Sequence, residues 1–211
     1  MKEISLDTVT CQVSIRNCDM SNSKIVVTTF QNGDLSEITI NNSKFTNFSS
    51  YNLFLYRLVG EDVTFTGCIF SNGDEIGAEN ANNWRKVEIK KSTIKKCNFN
   101  AQKIKDSEFI ETDLRKCVLD EIAFYKFSLS TSTLSNNMFT NCVFKLCKLN
   151  KVTFISCTFD NCYFRDTLMD EVDFNNCTFT KCTFTKTDLD KTKFIDCDTT
   201  TIKLVDSKDA S

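Results

Sequence analysis

Large apolar side chains recur at every fifth position along most of this chain. The series starts at Ile89, passes through Ile94, Phe99, Ile104 and Phe109, and ends at Leu204. Of its 24 positions, 23 carry Phe, Leu, Ile or Met, with Thr199 the exception. An amphipathic helix repeats at 3.6 residues and a half-buried strand at 2, so neither produces this pattern. Two positions before each large residue the side chain is mostly small: Cys97, Cys117, Cys142, Cys147, Cys157, Cys162, Cys177, Cys182 and Cys197, otherwise Thr, Ser or Val. Gln102, Ile122, Phe127, Asn137 and Ile202 are larger, and the bulky Phe127 predicts a local bulge or an outward displacement. The other three positions of each five are mostly polar. Self-similarity at a fixed period is the mark of a stacked repeat, in which each unit is covered only by its neighbours.

The first third keeps the period in another register. Ile15, Met20, Ile25, Phe30, Leu35, Ile40 and Phe45 are five apart; Ser50 and Gly60 break the series, and Leu55, Phe65 and Phe70 resume it. Aromatic residues crowd a weaker irregularity over 46–61. The step from Phe70 to Ile89 is not a multiple of five, which predicts a polar loop over 71–86 carrying the single tryptophan, Trp84.

Triplets such as Cys157-Thr158-Phe159, Cys162-Tyr163-Phe164, Cys177-Thr178-Phe179 and Cys182-Thr183-Phe184 resemble the pentapeptide-repeat family. The resemblance covers about 15–70 and 87–204. It departs from the commonest family pattern in using Cys, Thr, Ser and Val where Ala is typical. The resemblance implies an all-β, right-handed quadrilateral parallel β-helix of about nine to ten coils, four five-residue sides to each coil. On that geometry residues one full coil apart stack, so Phe124, Phe144, Phe164 and Phe184 form one inner ladder. One domain is expected over 1–211: N-terminal coils over about 10–70, the loop 71–86, regular coils over 87–204 and a polar tail over 205–211.

Composition narrows the chemistry. There are 26 Lys and Arg against 28 Asp and Glu, no His and no Pro. A near-balanced charge does not suit a general polyanion binder, so no direct nucleic-acid binding is expected. Imidazole catalysis is unavailable without histidine. Proline would remove a hydrogen bond between stacked strands, which accounts for its absence. Eight of the twelve cysteines fall in two linear columns, where they read as small buried apolar residues; a metal site needs ligands that converge, so no metal and no cofactor is expected. Disulfides between stacked cysteines are the intermediate case. No apolar run reaches the ~20 residues of a membrane helix, and 1–10 has no signal-peptide core. A cytoplasmic location is expected, with a secreted effector as the alternative.

Function is expected on the outside. The side centred on Ile104–Leu204 turns seven cations outward (Lys103, Lys105, Lys126, Lys145, Arg165, Lys186 and Lys203) against Asp106, Asp166 and Asp206, with Tyr125 and Tyr163 among them. The side centred on Phe99 carries Asp120, Glu121, Asp160 and Asp198 against Lys181. The candidate partner-binding residues are therefore Trp84, Arg85, Lys103, Lys105, Tyr125, Lys126, Lys145, Tyr163, Arg165 and Lys186. A Trp on a polar loop suits an interface anchor. The expected role is a non-catalytic scaffold for a protein partner. The resemblance implies an alternative, a rod imitating duplex DNA that binds type II topoisomerase or gyrase and confers resistance to quinolones or peptide toxins. A continuous acidic face and a C-terminal dimerisation helix, which that reading requires, are not evident, although a homodimer stays open. The acid pairs Glu108 with Glu111, Asp170 with Glu171 and Asp188 with Asp190 lie on one flat face without the cleft that catalysis needs.

Overall fold

Short strands separated by corners, most of them three residues long, make up the described residues. The computed structural model describes residues 5–7, 10–26, 28–71 and 83–207, and within these it has thirty strands in one parallel sheet and no helix. The sheet winds into a right-handed solenoid of about nine turns. Most of the three-residue strands are centred on one large apolar residue. Asn98–Asn100 carries Phe99 inward, Lys103–Lys105 carries Ile104, and both flanking residues of each point out.

The register is that of a four-sided coil. Phe124 pairs with Phe144, Phe144 with Phe164 and Phe164 with Phe184, each one whole coil further along. Their rings stack at centroid distances of 4.6, 4.6 and 4.5 Å. Phe139–Phe159–Phe179 and Phe154–Phe174–Phe194 form parallel ladders on other sides. The four sides are named below by one central residue each: the Phe144, Leu149, Phe154 and Phe159 faces. The core is filled, leaving apolar-lined voids of only about 30 and 20 Å³.

Three expectations are corrected. Phe127 does not bulge outward: it is buried, in edge contact with Phe109 at 5.1 Å, and Leu129 beside it keeps its regular pairing with Leu149. Ser50 and Gly60 do not break the coil either. Ser50 pairs with Phe30 and Phe70 in register, and the buried Phe48, two positions earlier, occupies the space the serine leaves. At Gly60 a Cβ would lie 2.8 Å from Val63 Cγ2 and 3.0 Å from Ile40 Cγ1, so its neighbours have already closed on it. Large and small residues have exchanged places across one corner, conserving volume.

The interruption is also narrower than 71–86. Ser71 ends one strand, and Asn83–Arg85 forms the next with Trp84 facing inward, paired with Leu55 below and Ile104 above. Trp84 is buried, its ring edge-on to Phe70 at 5.2 Å and to Phe99 at 5.7 Å. It is a core residue, five before Ile89 and in the same series. The middle of the expected loop, 72–82, lies outside the described residues.

Corners are built by two devices. The first is backbone conformation. From Lys86 to Lys186 every fifth residue has φ near +50°, in the left-handed region, and none of them is glycine. Lys, Asp, Glu and Asn predominate, but Leu146, Ser156 and the β-branched Thr131 are there too. Left-handed geometry costs a non-glycine residue roughly 1–2 kcal/mol, a cost offset by the stacked coils above and below.

The second device is a side-chain hydrogen bond inside those corners whose small position carries Cys, Ser, Thr or Asn. Cys142 Sγ–H donates to the Leu119 carbonyl (3.2 Å), Thr112 Oγ1–H to Ile89 (3.2 Å) and Thr167 Oγ1–H to Phe144 (3.1 Å). In each case the acceptor is the central residue of the preceding side, one coil below. Serines at the same position also accept: Val87 N–H donates to Ser107 Oγ and Thr112 N–H to Ser132 Oγ, both at 3.0 Å. Cys, Ser and Thr thus share the small position because each brings a donor as well as little volume. Asn137 does both at once, accepting from Cys117 N–H (2.8 Å) and donating from Nδ2 to the Leu114 carbonyl (3.0 Å). Asn137→Leu should therefore cost about 2–3 kcal/mol, because two buried backbone groups lose their partners. Asn137→Ser should recover part of it. Urea unfolding of the two variants checks this, and equal stability of Leu and Asn at that position contradicts it.

The cysteines follow the same logic. All eleven whose side chains are described are free thiols. Burial pushes Cys147 up to about 11. Cys162, between Cys142 and Cys182, stands at about 12, raised first by its hydrogen bond to Cys142, lowered by that to Cys182 and raised again by burial. Such thiols stay protonated and unreactive at neutral pH.

Candidate functional site

With a core closed to ligands, chemistry is left to the outward residues, and the coil sorts these into rows. On the Phe144 face the residue after each inner position gives Tyr56, Arg85, Lys105, Tyr125, Lys145 and Arg165, each paired with the next across one coil. The residue before each inner position gives Lys103, Ala123, Val143, Tyr163, Thr183 and Lys203. The adjoining corner carries Lys86, Lys126 and Lys186, with Asp106, Leu146, Asp166 and Asp206 between and beyond them in the same row. Seven successive coils, from Arg85 to Lys203, each place at least one Lys or Arg on this face.

Few anions compensate them. Arg85 lies 3.9 Å from Asp106, and Arg165 lies 3.4 Å from Asp166. Among the described residues no carboxylate is within ion-pair distance of Lys103, Lys105, Lys126, Lys145, Lys186 or Lys203. Three of these ammonium groups gather on one ring instead: Lys105, Lys126 and Lys145 lie 5.4, 5.5 and 5.9 Å from the Tyr125 centroid. Attraction to the ring quadrupole eases their mutual repulsion without neutralising them. Arg57 and Lys86 lie 5.0 and 5.8 Å from the Tyr56 centroid, and Arg57 is also paired with Glu37 at 2.9 Å.

Nine of the ten candidate residues thus share one face, and Trp84 does not, because its ring is in the core. Tyr56, Arg57 and Lys86 extend the face downward. They escape sequence reasoning because the pairing across the interruption, Tyr56 with Arg85, departs from the regular coil offset. Val143 and Tyr163 are 38% and 46% exposed, neighbours in one row. An open groove of about 560 Å³ follows the corner, with Asp106, Lys126 and Leu146 on one wall and Glu108, Ser128 and Lys148 on the other, so its lining is of mixed charge.

The remaining faces are less uniform. On the Leu149 face the expected acid pairs sit at open strand and corner positions, and Asp170 is bound by Lys191 at 2.8 Å. On the Phe159 face Asp120 and Asp160 are separated by Thr140, beside the exposed Val118 and Met138. Among the described residues no three metal-ligating side chains converge.

Solved structures share this architecture. A trypsin-treated variant of QnrB1, a plasmid-mediated fluoroquinolone resistance protein, superposes with a TM-score of 0.56 at 17% identity, covering 97% of this chain and 89% of that one. HetL, a pentapeptide-repeat protein involved in heterocyst differentiation regulation in the cyanobacterium Nostoc sp. strain PCC 7120, gives 0.52 at 12% identity, covering 95% and 84%. The fold is that of the pentapeptide-repeat proteins. At such identities the likeness extends to the fold and no further. A family model described as the SV2A/B/C luminal domain matches residues 124–204, the most regular part of the pentapeptide-repeat coil. No curated protein sequence matches the chain.

Proposed function

We propose that this pentapeptide-repeat chain is a non-catalytic protein-interaction module, and that the Phe144 face is its working surface toward an acidic protein partner. One observation carries the reading: seven consecutive coils present cations on one side, and the molecule supplies few anions to meet them. A scaffold role fits a fold whose core has no room for a ligand and whose outward rows are straight and rigid. An acidic surface brought against this face would relieve the repulsion among Lys105, Lys126 and Lys145 and would steer association. The reading as a DNA imitator draws no comparable support, since acidic residues on the Phe159 face are interrupted by Thr140 and Lys181.

The test is affinity capture from cells with two baits, the native chain and a variant with Lys103, Lys105, Lys145 and Arg165 all changed to Glu. These positions point outward, so the variant should keep its native circular dichroism. Partners held by the native bait should be acidic and should be lost from the variant. Recovery of the same proteins by both baits rejects the Phe144 face as the working surface.

A further inference from the structure

Two rows of the Phe144 face run side by side and differ in chemistry. One is basic and aromatic: Lys105, Tyr125, Lys145 and Arg165. The other is apolar over three successive coils: Ala123, Val143 and Tyr163. They flank the same inner residues, so they lie about 7 Å apart and both parallel the rod axis. Building on the acidic-partner reading above, we infer that this pair of rows is a docking site for an acidic amphipathic α-helix of the partner, laid along the rod. Its carboxylates would meet the basic row and its apolar stripe the Ala123–Val143–Tyr163 row.

The repeat lengths select the helix. Coils rise by about 4.8 Å, and a helix brings a side chain back to the same face every 5.4 Å. From Lys105 to Arg165 the two differ by about 2 Å in total, within the reach of lysine and glutamate side chains. An extended strand returns a side chain to one face only about every 6.8 Å and would be about 6 Å out over the same distance. An amphipathic helix also carries adjoining stripes of different polarity along its whole length, as the two rows require.

The same features disfavour other polyanions. Single-stranded nucleic acid binds by stacking bases on free aromatic faces, whereas the Tyr125 ring is already approached by three lysines. A phosphate or sulfate backbone also offers nothing apolar to the exposed Val143.

The experiment uses the full-length chain and three fluorescein-labelled probes, read by anisotropy. The first is a helical peptide of five turns with Glu on one stripe and Leu on the adjoining stripe. The second has the same composition in scrambled order, and the third is oligo(dT). The expected result is that the amphipathic peptide binds at least tenfold tighter than either control. Lys105→Glu with Lys145→Glu should weaken it at least tenfold, and so should Val143→Asp, whose side chain also points outward. Equal binding of scrambled peptide or oligo(dT) would mean a generic polyanion surface and overturns the inference, as does no binding of the amphipathic peptide. If the peptide fails while charge reversal still abolishes cellular capture, the acidic-partner reading stands and the helix falls. If the peptide binds as expected while capture ignores charge reversal, the docking site stands and the cellular role falls.

Discussion

Replacing Phe164 by Ala should lower stability by about 3–5 kcal/mol, among the largest losses any single truncation in this molecule can cause. The side chain has no exposed surface and lies in the middle of a ladder, its ring 4.6 Å from Phe144 and 4.5 Å from Phe184. Removing it deletes buried apolar area and leaves a void that the coils above and below cannot close, because their own backbone bonds fix their spacing. Leu204 ends the same ladder and is 38% exposed, so Leu204→Ala should cost less than about 1 kcal/mol. Coils touch only their neighbours, and a weak coil in the middle divides the rod. Urea unfolding of Phe164→Ala should therefore show a broadened or biphasic transition. A single sharp transition with a loss no greater than that of Leu204→Ala would contradict the packing described.

Trp84→Ala should be as costly, about 3–5 kcal/mol. Its indole is the bulkiest of the in-register links between the block ending at Ser71 and the block that continues to Val205, with Leu55 below and Ile104 above; Ile89, Ile94 and Phe99 pair with Gly60, Phe65 and Phe70 on the other sides. Its edge contacts to Phe70 and Phe99 join two faces as well as two coils. Loss of the indole should uncouple the N-terminal coils, which would melt first. Since Trp84 is the only tryptophan, the native protein reports its own packing: emission should be blue-shifted when folded and move to the red on unfolding. An unchanged stability together with lost partner capture would return Trp84 to the surface role that its polar neighbours suggested.

The two residues mark where sequence reasoning succeeds and where it stops. Phe144, Phe164 and Phe184 could be stacked from sequence because nothing is inserted between them, so a period of five and four sides to the coil fix their positions. Trp84 stands five before Ile89 and one regular coil before Ile104, but its polar neighbours and the irregular step from Phe70 make it read as part of a loop; its pairing with Ile104 and Leu55 restores it to its ladder. Phe48 was obscured by a different effect. A pattern of large and small positions cannot say that one corner has exchanged volume with its neighbour. The corner donors were hidden by chemistry, since a buried Cys reads as apolar until Cys142 is seen against the Leu119 carbonyl. Most of the basic face was legible, as Lys105, Lys145 and Arg165 stand whole coils apart in an unbroken stretch of the repeat. The apolar row beside it is not read from the sequence, where only Tyr163 is singled out; Ala123 and Val143 join it once the strands are in register.

The left-handed turns carry one more consequence. A coil cornered by glycine would fold with less local strain, but its edges would be bare. Here those sites bear long side chains instead, so Lys86, Lys126 and Lys186 stand on a ridge that glycine would have left blank. The molecule accepts a small conformational penalty at each bend and gains four extra lanes of variable lettering, on which charge can be rewritten while the tube beneath keeps its shape.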